Sequence, residues 1–144
     1  MVEMALALPL MMLLLTGIVS LGLALSSYLT LSHAVDVGAR NLALSRGSSS
    51  TNPCADAVAL IQGAAPSLNA SNVSYTFQIG SDTFTGKSNG FSGTGSTSCS
   101  VLGVSDMVAG STASVTANYP YQLMIIFWKS QTLNLTAATS EVIQ

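Results

Sequence analysis

The chain has 144 residues, one modest domain's worth, with four Lys+Arg, six Asp+Glu and a formal net charge of −2. Charged side chains make up 7% of it, against about 25% in an ordinary soluble domain, while Ser and Thr together number 35. The polar surface is therefore mostly neutral hydroxyl and amide. This balance leaves no electrostatic footprint for nucleic acid. One His and two Cys are too few for a four-ligand zinc site within one chain, and no metal or cofactor is expected. The composition favours a membrane-anchored or self-assembling protein.

No charged residue occurs between Glu3 and Asp36, and residues 4–25 are apolar except for Pro9, Thr16, Gly17, Ser20 and Gly22. As a helix this stretch rises about 33 Å, which matches the hydrocarbon core of a bilayer. A cleaved signal peptide would begin with basic residues and have a shorter apolar run. Beyond it, Tyr28, Leu31, Val35 and Leu42 form one stripe, and Leu29, His33, Asp36 and Arg40 another. Asp36 and Arg40 have the spacing of a helical ion pair. Arg46 fits a last turn and Gly47 a stop. One helix is thus expected over residues 1–46, about 70 Å long, with its first half suited to lipid and its second half amphipathic.

Thr16, Ser20 and Ala24, four apart, form a ridge of small residues that lets helices approach closely in lipid; small residues are also common in any membrane helix. Glu3, at the edge of the apolar run, needs a partner or water. The α-ammonium of Met1, in the same chain or a neighbour, is one solution, and the headgroup region is the other. Pro9 has no N–H to donate and is expected to kink or locally melt the helix over residues 5–9, with the freed carbonyl satisfied by protein neighbours.

Val2-Glu3-Met4-Ala5-Leu6-Ala7-Leu8-Pro9-Leu10 is followed by Gly17-Ile18-Val19, Gly22, Tyr28 and Ala34-Val35-Asp36-Val37-Gly38-Ala39-Arg40. Over residues 1–46, a third of the chain, this resembles the TadE-like family of pilins and pseudopilins: the Glu, the Pro, the glycine pair and the closing Gly-Ala-Arg recur in order. The resemblance implies a precursor cleaved by a prepilin peptidase, a long N-terminal helix and a globular head outside the cytoplasm. It also implies partners: the inner membrane before assembly, the pilus assembly machinery, and further copies of the chain in a Tad-type or type IV-like filament at the cell surface. On that reading Met1, Glu3, Pro9, Thr16, Gly17, Ser20, Gly22 and Ala24 are the assembly residues. The glutamate stands third here, whereas type IV-like pilins carry it fifth, so either processing differs or the chain begins short of the mature end. Family members often have an acidic residue where this chain has Ser20-Leu21-Gly22, which leaves its helix unusually free of charge. Arg40 and Arg46 follow the apolar run and nothing basic precedes it, which by the positive-inside rule alone would put the remainder in the cytoplasm. A removed basic leader and the cysteine pair argue for the outside, which is the expectation.

The head, residues 47–144, begins with a polar loop over 48–51. Asn52 then reads as an N-cap, Pro53 as the first helical residue and Asp56 as a favourable charge near the N-terminus. A short helix is expected to Gln62, stopped by Gly63 with Pro66 beyond, and buried through Val58 and Ile61. From Val73 the period becomes two, with Val73, Tyr75, Phe77 and Ile79 alternating with polar residues, as in a half-buried strand. Gly80-Ser81-Asp82 supplies a turn, and residues 83–85 return as a hairpin partner. Residues 86–100 read as a long Gly/Ser/Thr loop. Ala113, Val115, Ala117 and Tyr119 alternate again, and Leu133, Leu135 and Ala137 start a last strand. The expected class is α+β: a long apolar helix, then a small antiparallel head with one short helix. Residues 121–128, apolar except for Gln122, are either a core element on the sheet or a patch buried between subunits; they are too few to span a bilayer.

Cys54 and Cys99 are an even pair outside any CxxC spacing. In an oxidising compartment they form a disulfide, closing a loop of 44 intervening residues; the other reading is a reactive Cys54 thiol at a helix N-terminus. Asn69, Asn72 and Asn134 head N-glycosylation sequons, which arise by chance in so hydroxyl-rich a chain. His33 and Asp36 share a helix face, but no oxyanion hole, phosphate loop or metal cluster accompanies them, so no enzyme is expected. The function expected is a structural pilin subunit polymerising through its N-terminal helices, in a filament that serves adhesion. The alternatives are a minor pseudopilin that assists assembly, or a monomeric membrane-anchored binding module.

Overall fold

The computed structural model of the protein describes residues 2–45, 52–88, 90–93, 99, 108–123 and 131–144. The first helix, α1, runs from Val2 to Leu44 with Pro9 inside it. The local melting expected over residues 5–9 does not occur, since the helix is continuous through Pro9. A proline removes one N–H donor, and the flanking Ala, Leu and Met turns are strong enough helix formers to continue across the lost bond. The helix ends two residues earlier than its sequence suggests, because the Ser45 N–H and hydroxyl both donate to the Leu42 carbonyl, at 3.2 and 2.7 Å. Met1, Arg46, Gly47 and the 48–51 loop lie outside the described residues.

The second helix, α2 (Pro53–Ala64), starts as its residues dictate. Pro53 takes the first turn, and the Asn52 Oδ1 accepts the Ala55 N–H at 3.1 Å. It does not stop at Gly63. It continues to Ala64, since the Ala65 N–H still finds the Ile61 carbonyl at 3.0 Å and Pro66 is the first residue that cannot continue the ladder. Cys54, Ala57, Val58 and Ile61 are its buried side.

A single 3-10 turn, Ala70–Asn72, leads into a sheet of five strands: β1 (Ser74–Ile79), β2 (Asp82–Lys87), β3 (Gly90–Gly93), β4 (Thr112–Leu123) and β5 (Gln131–Val142). All neighbours are antiparallel and the order is β3-β2-β1-β4-β5. The two-residue turn between β1 and β2 places Gly80 at φ +59°, in the first central position that a type II′ hairpin reserves for glycine. The region read as a loop over 86–100 therefore contains structure. β2 extends to Lys87, and Gly90–Gly93 pairs back on residues 84–87. Two glycines and a lone Phe91 carry no alternation that a sequence pattern would detect, so only the hairpin pairing reveals this strand. Of the apolar run over 121–128, β4 takes residues as far as Leu123, and 124–130 lie outside the described residues, as do 94–98 and 100–107.

One core joins these elements. Leu31, Ala34, Val35, Ala39 and Leu42 of α1 meet Ala57, Val58 and Ile61 of α2, and the inward sheet residues Tyr75, Phe77, Phe84, Val115 and Ala137. The chain is α+β: a long apolar helix whose C-terminal third is one wall of a small antiparallel head.

Candidate functional site

Two halves of one helix meet different surroundings. Between Leu31 and Ala43 the inward residues of α1 are almost completely buried, from 0% to 5% exposed. N-terminal to them, the large side chains from Leu8 to Leu29 stand between 40% and 70% exposed. α1 is long and apolar enough, over Ala7–Leu44, to cross a membrane. A soluble core helix would share that composition but would be buried. Here about a dozen Leu, Met, Ile and Val side chains project into space that no described part of the chain fills, at a cost in water of roughly 1.5–3 kcal/mol each.

The small residues interrupt that apolar surface in a line. Thr16, Ser20, Ala24, Ser27 and Leu31 lie within one sector of a 3.6-residue helix, the sector that the head occupies further along. The Thr16 hydroxyl donates to the carbonyls of Met12 and Leu13, both at 3.0 Å, and the Ser27 hydroxyl to that of Leu23 at 3.0 Å. These hydroxyls are therefore satisfied within the helix, and the ridge presents itself as small and effectively apolar. Ala24 is 4% exposed. A methyl group built on Gly17 or Gly22 would meet nothing within 4 Å, so within one chain neither glycine is needed for space. Pro9 and Glu3 lie in the first turns of α1, and the Glu3 side chain is outside the described part.

Gly38 is different, and sequence reasoning did not single it out as a site. A Cβ there would stand 2.6 Å from Ile61 Cδ1 and 3.4 Å from the Ala57 carbonyl oxygen. α1 and α2 cross at this glycine. The signal available in the sequence was its place between Val37 and Ala39 on the buried stripe. Two residues on, Arg40 pairs with Asp36, Nη2 to Oδ2 at 3.1 Å, and reaches Glu141 of β5, Nε to Oε1 at 4.0 Å. Arg40 and Glu141 flank a groove of about 140 Å³ with Ala43, Leu44, Val142 and Gln144. Asp36, Arg40 and Glu141 are all substantially exposed, so the pairs steer the helix base against β5 more than they stabilise it.

Cys54, at the start of α2, is joined to Cys99 with a Cα–Cα distance of 6.1 Å, and is not a free thiol. Asn69, Asn72 and Asn134 are all exposed; the Asn69 Oδ1 is held by the Ser71 N–H and hydroxyl at 3.2 and 2.7 Å. His33 is exposed on the face away from the head. Among the described residues no three His, Cys, Asp or Glu side chains converge as metal ligands would. A cavity of about 10 Å³ beneath α2 is lined by Leu31, Ile61, Gln62, Val73 and Tyr75, room for one water at most. Burial there pushes the Tyr75 hydroxyl above its ordinary 10.0, with the neighbouring Gln62 side chain opposing the shift.

Residues 1–40 match the model of the TadE-like protein family. The match ends at Arg40, so the TadE-like segment comprises the exposed apolar half of α1 together with most of the stripe that docks the head. It includes Gly38 and the Asp36–Arg40 pair. The TadE-like family is pilus-associated and structural, not enzymatic, in kind. No curated protein and no solved structure matches the chain, and the TadE-like match does not extend to α2 or the sheet.

Proposed function

We propose that this protein is a pilin: the repeating subunit of an extracellular Tad-type or type IV-like filament, held in the inner membrane by the apolar half of α1 until it is assembled. The observation that carries this reading is the helix with two environments, docked to a head at one end and, from Leu8 to Leu29, with its large apolar side chains exposed among the described residues. Residues 1–46 are the membrane and filament-core segment and 47–144 the extracytoplasmic head. In lipid the exposed side chains from Leu8 to Leu29 face acyl chains; in the filament they face the same side chains of neighbouring copies. Both media are apolar, so the exchange costs little hydrophobic energy, and close approach along Thr16, Gly17, Ser20, Gly22 and Ala24 decides in favour of helix–helix packing. Glu3 neutralises the N-terminal ammonium of an adjacent subunit and so sets the axial register, a buried-pair role that acts through specificity. Pro9 leaves one carbonyl for a neighbour to satisfy. Upstream, a prepilin peptidase releases the mature chain and the pilus machinery extracts it.

Electron cryo-microscopy of sheared surface filaments, with N-terminal sequencing of the same material, tests this. The expected result is a helical polymer of this chain with α1 at its axis. The variant Glu3→Ala is expected to abolish filaments or change their subunit spacing while leaving the chain in the membrane; normal assembly would remove the register role. Recovery of the chain only as a rare filament component would make it a minor pseudopilin. Recovery only from membranes would make it an anchored binding module.

A further inference from the structure

The sheet does not end where its core ends. β1 pairs with β4 only as far as Ser74 opposite Asn118, but the β4–β5 ladder continues five pairs further, to Leu123 opposite Gln131. This extension is a two-stranded arm. Pro120 sits in it opposite Asn134, which suits a strand with an open side, since a proline lacks the N–H that a further neighbour would need.

Two contacts show which way the arm runs along α1. Val142 and Ala43 line the same groove. Leu31 shares a cavity with Tyr75, which lies opposite Ala117, itself opposite Ala137. From Val142 back to Ala137 the strand covers about 17 Å, and from Ala43 back to Leu31 the helix covers about 18 Å, so the two run side by side. From Ala137 back to Gln131 is about 20 Å more, which brings the end of the arm level with roughly residues 18–22 of α1. The apolar run of the helix extends to residue 25. The arm therefore reaches some 5–10 Å past the outer edge of the membrane-spanning stretch, the depth at which amphipathic elements rest in the headgroup region.

Its side chains suit that depth. Along the inner face the buried alternation of Val115 and Ala117 gives way to half-buried Tyr119, Tyr121 and Leu123, with Leu133 opposite them 42% exposed. The outer face carries Gln122, Thr132 and Asn134. Tyr28, 40% exposed, stands on the helix at the same boundary. Tyrosines with one apolar and one wet end collect at membrane interfaces. Among the described residues no strand lies beside the outer edges of the arm, and edges of that kind are kept out of the hydrocarbon core, where their N–H and C=O groups would have no partner.

We infer that the β4–β5 arm is a second membrane contact, lying with Tyr119, Tyr121, Leu123 and Leu133 in the headgroup layer of the bilayer that α1 spans. The inference rests on the membrane-anchored stage proposed above. Anchored at two points, the head is fixed in tilt and height relative to the membrane before assembly, and extraction has to lift the arm out of lipid as well as the helix.

The test places the full chain in phosphatidylethanolamine/phosphatidylglycerol vesicles that carry bromine either near the headgroup or near the acyl chain ends. Trp128 is the one tryptophan, so Trp128→Phe with Tyr121→Trp puts the sole reporter on the arm. The expected result is emission quenched about twofold by shallow bromine, less by deep bromine, and shielded from aqueous iodide, as for an interfacial aromatic. Iodide quenching without bromine quenching, in vesicles that float with the chain, overturns the arm contact and leaves the anchor intact. Emission shielded from both quenchers places the arm against protein and also overturns it. A chain that does not float with vesicles overturns both the contact and the anchored stage. If that chain misfolds, Tyr119→Trp in the Trp128→Phe background puts the reporter two residues earlier on the same face of the arm and gives the same readout.

Discussion

At the scale of single residues, glycine has opposite meanings at two positions in this chain. At Gly38 the helices cross, and a methyl group would press on Ile61, itself fully buried. Overpacking a core costs about 1–3 kcal/mol, more than the ~1 kcal/mol that Ala gains over Gly in a helix. Gly38→Ala is therefore expected to lower the thermal midpoint of the head in detergent. At Gly63, inside α2 with nothing within 4 Å, only the propensity term applies, and Gly63→Ala is expected to raise the midpoint; equal shifts at both sites would contradict the crossing geometry. Tyr75 supplies the pH dependence. Its folded pKa lies above 10.0 because burial disfavours the phenolate, so the folded state holds this proton more tightly than the unfolded chain does. Its contribution is complete below about pH 10 and is lost as pH rises from there through the raised folded value. Melting curves between neutral pH and pH 11 should show a decline that Tyr75→Phe reduces.

At the scale of elements, the sequence was legible where an element is organised by its own residues. The Asn52-Pro53 start of α2, the alternation in β1 and the Gly80 turn each follow from local chemistry: a carboxamide that caps, a ring that presets φ, a glycine at φ > 0. The misses share another cause. Gly63 reads as a stop, yet it stays helical because the Ile61 carbonyl still finds a donor. Gly90–Gly93 reads as loop because its strand is defined by a neighbour and not by its own pattern. Pro9 suggests a local melting, but a helix of this length tolerates one missing bond. The disulfide also belongs to this scale, since it ties the first turn of α2 to Cys99 across a sequence separation of 45. Closing such a loop contributes on the order of 4 kcal/mol in the chain-entropy model. Reduction, or paired Cys54→Ala and Cys99→Ala, is expected to lower the midpoint by roughly 15 °C or more, read by circular dichroism with and without reductant. An unchanged midpoint would mean that the packing of α2 on α1 suffices alone.

At the scale of the whole molecule, α1 belongs to two bodies. Its last third is head core, and along its first two thirds the large apolar side chains stand exposed. The assembly and anchoring proposed above would draw on that division: a head held by Leu31, Val35, Gly38 and Leu42 would transmit to the helix any force applied to it. The arm of β4 and β5 extends the head back along the same helix, so that helix and arm would meet the proposed membrane boundary together. The sequence by itself determined the long apolar helix, the α+β class, the cysteine pair, the Asp36–Arg40 pair and the TadE-like pattern over residues 1–40, because periodicity, charge and spacing are local properties of the chain. Only the tertiary structure decided that Gly38 is a crossing point, that Arg40 also reaches Glu141, that residues 90–93 join the sheet, and that the β4–β5 ladder outruns its neighbours. Each of these depends on which distant segment lies alongside, and that is set by packing between elements and not by any run of residues.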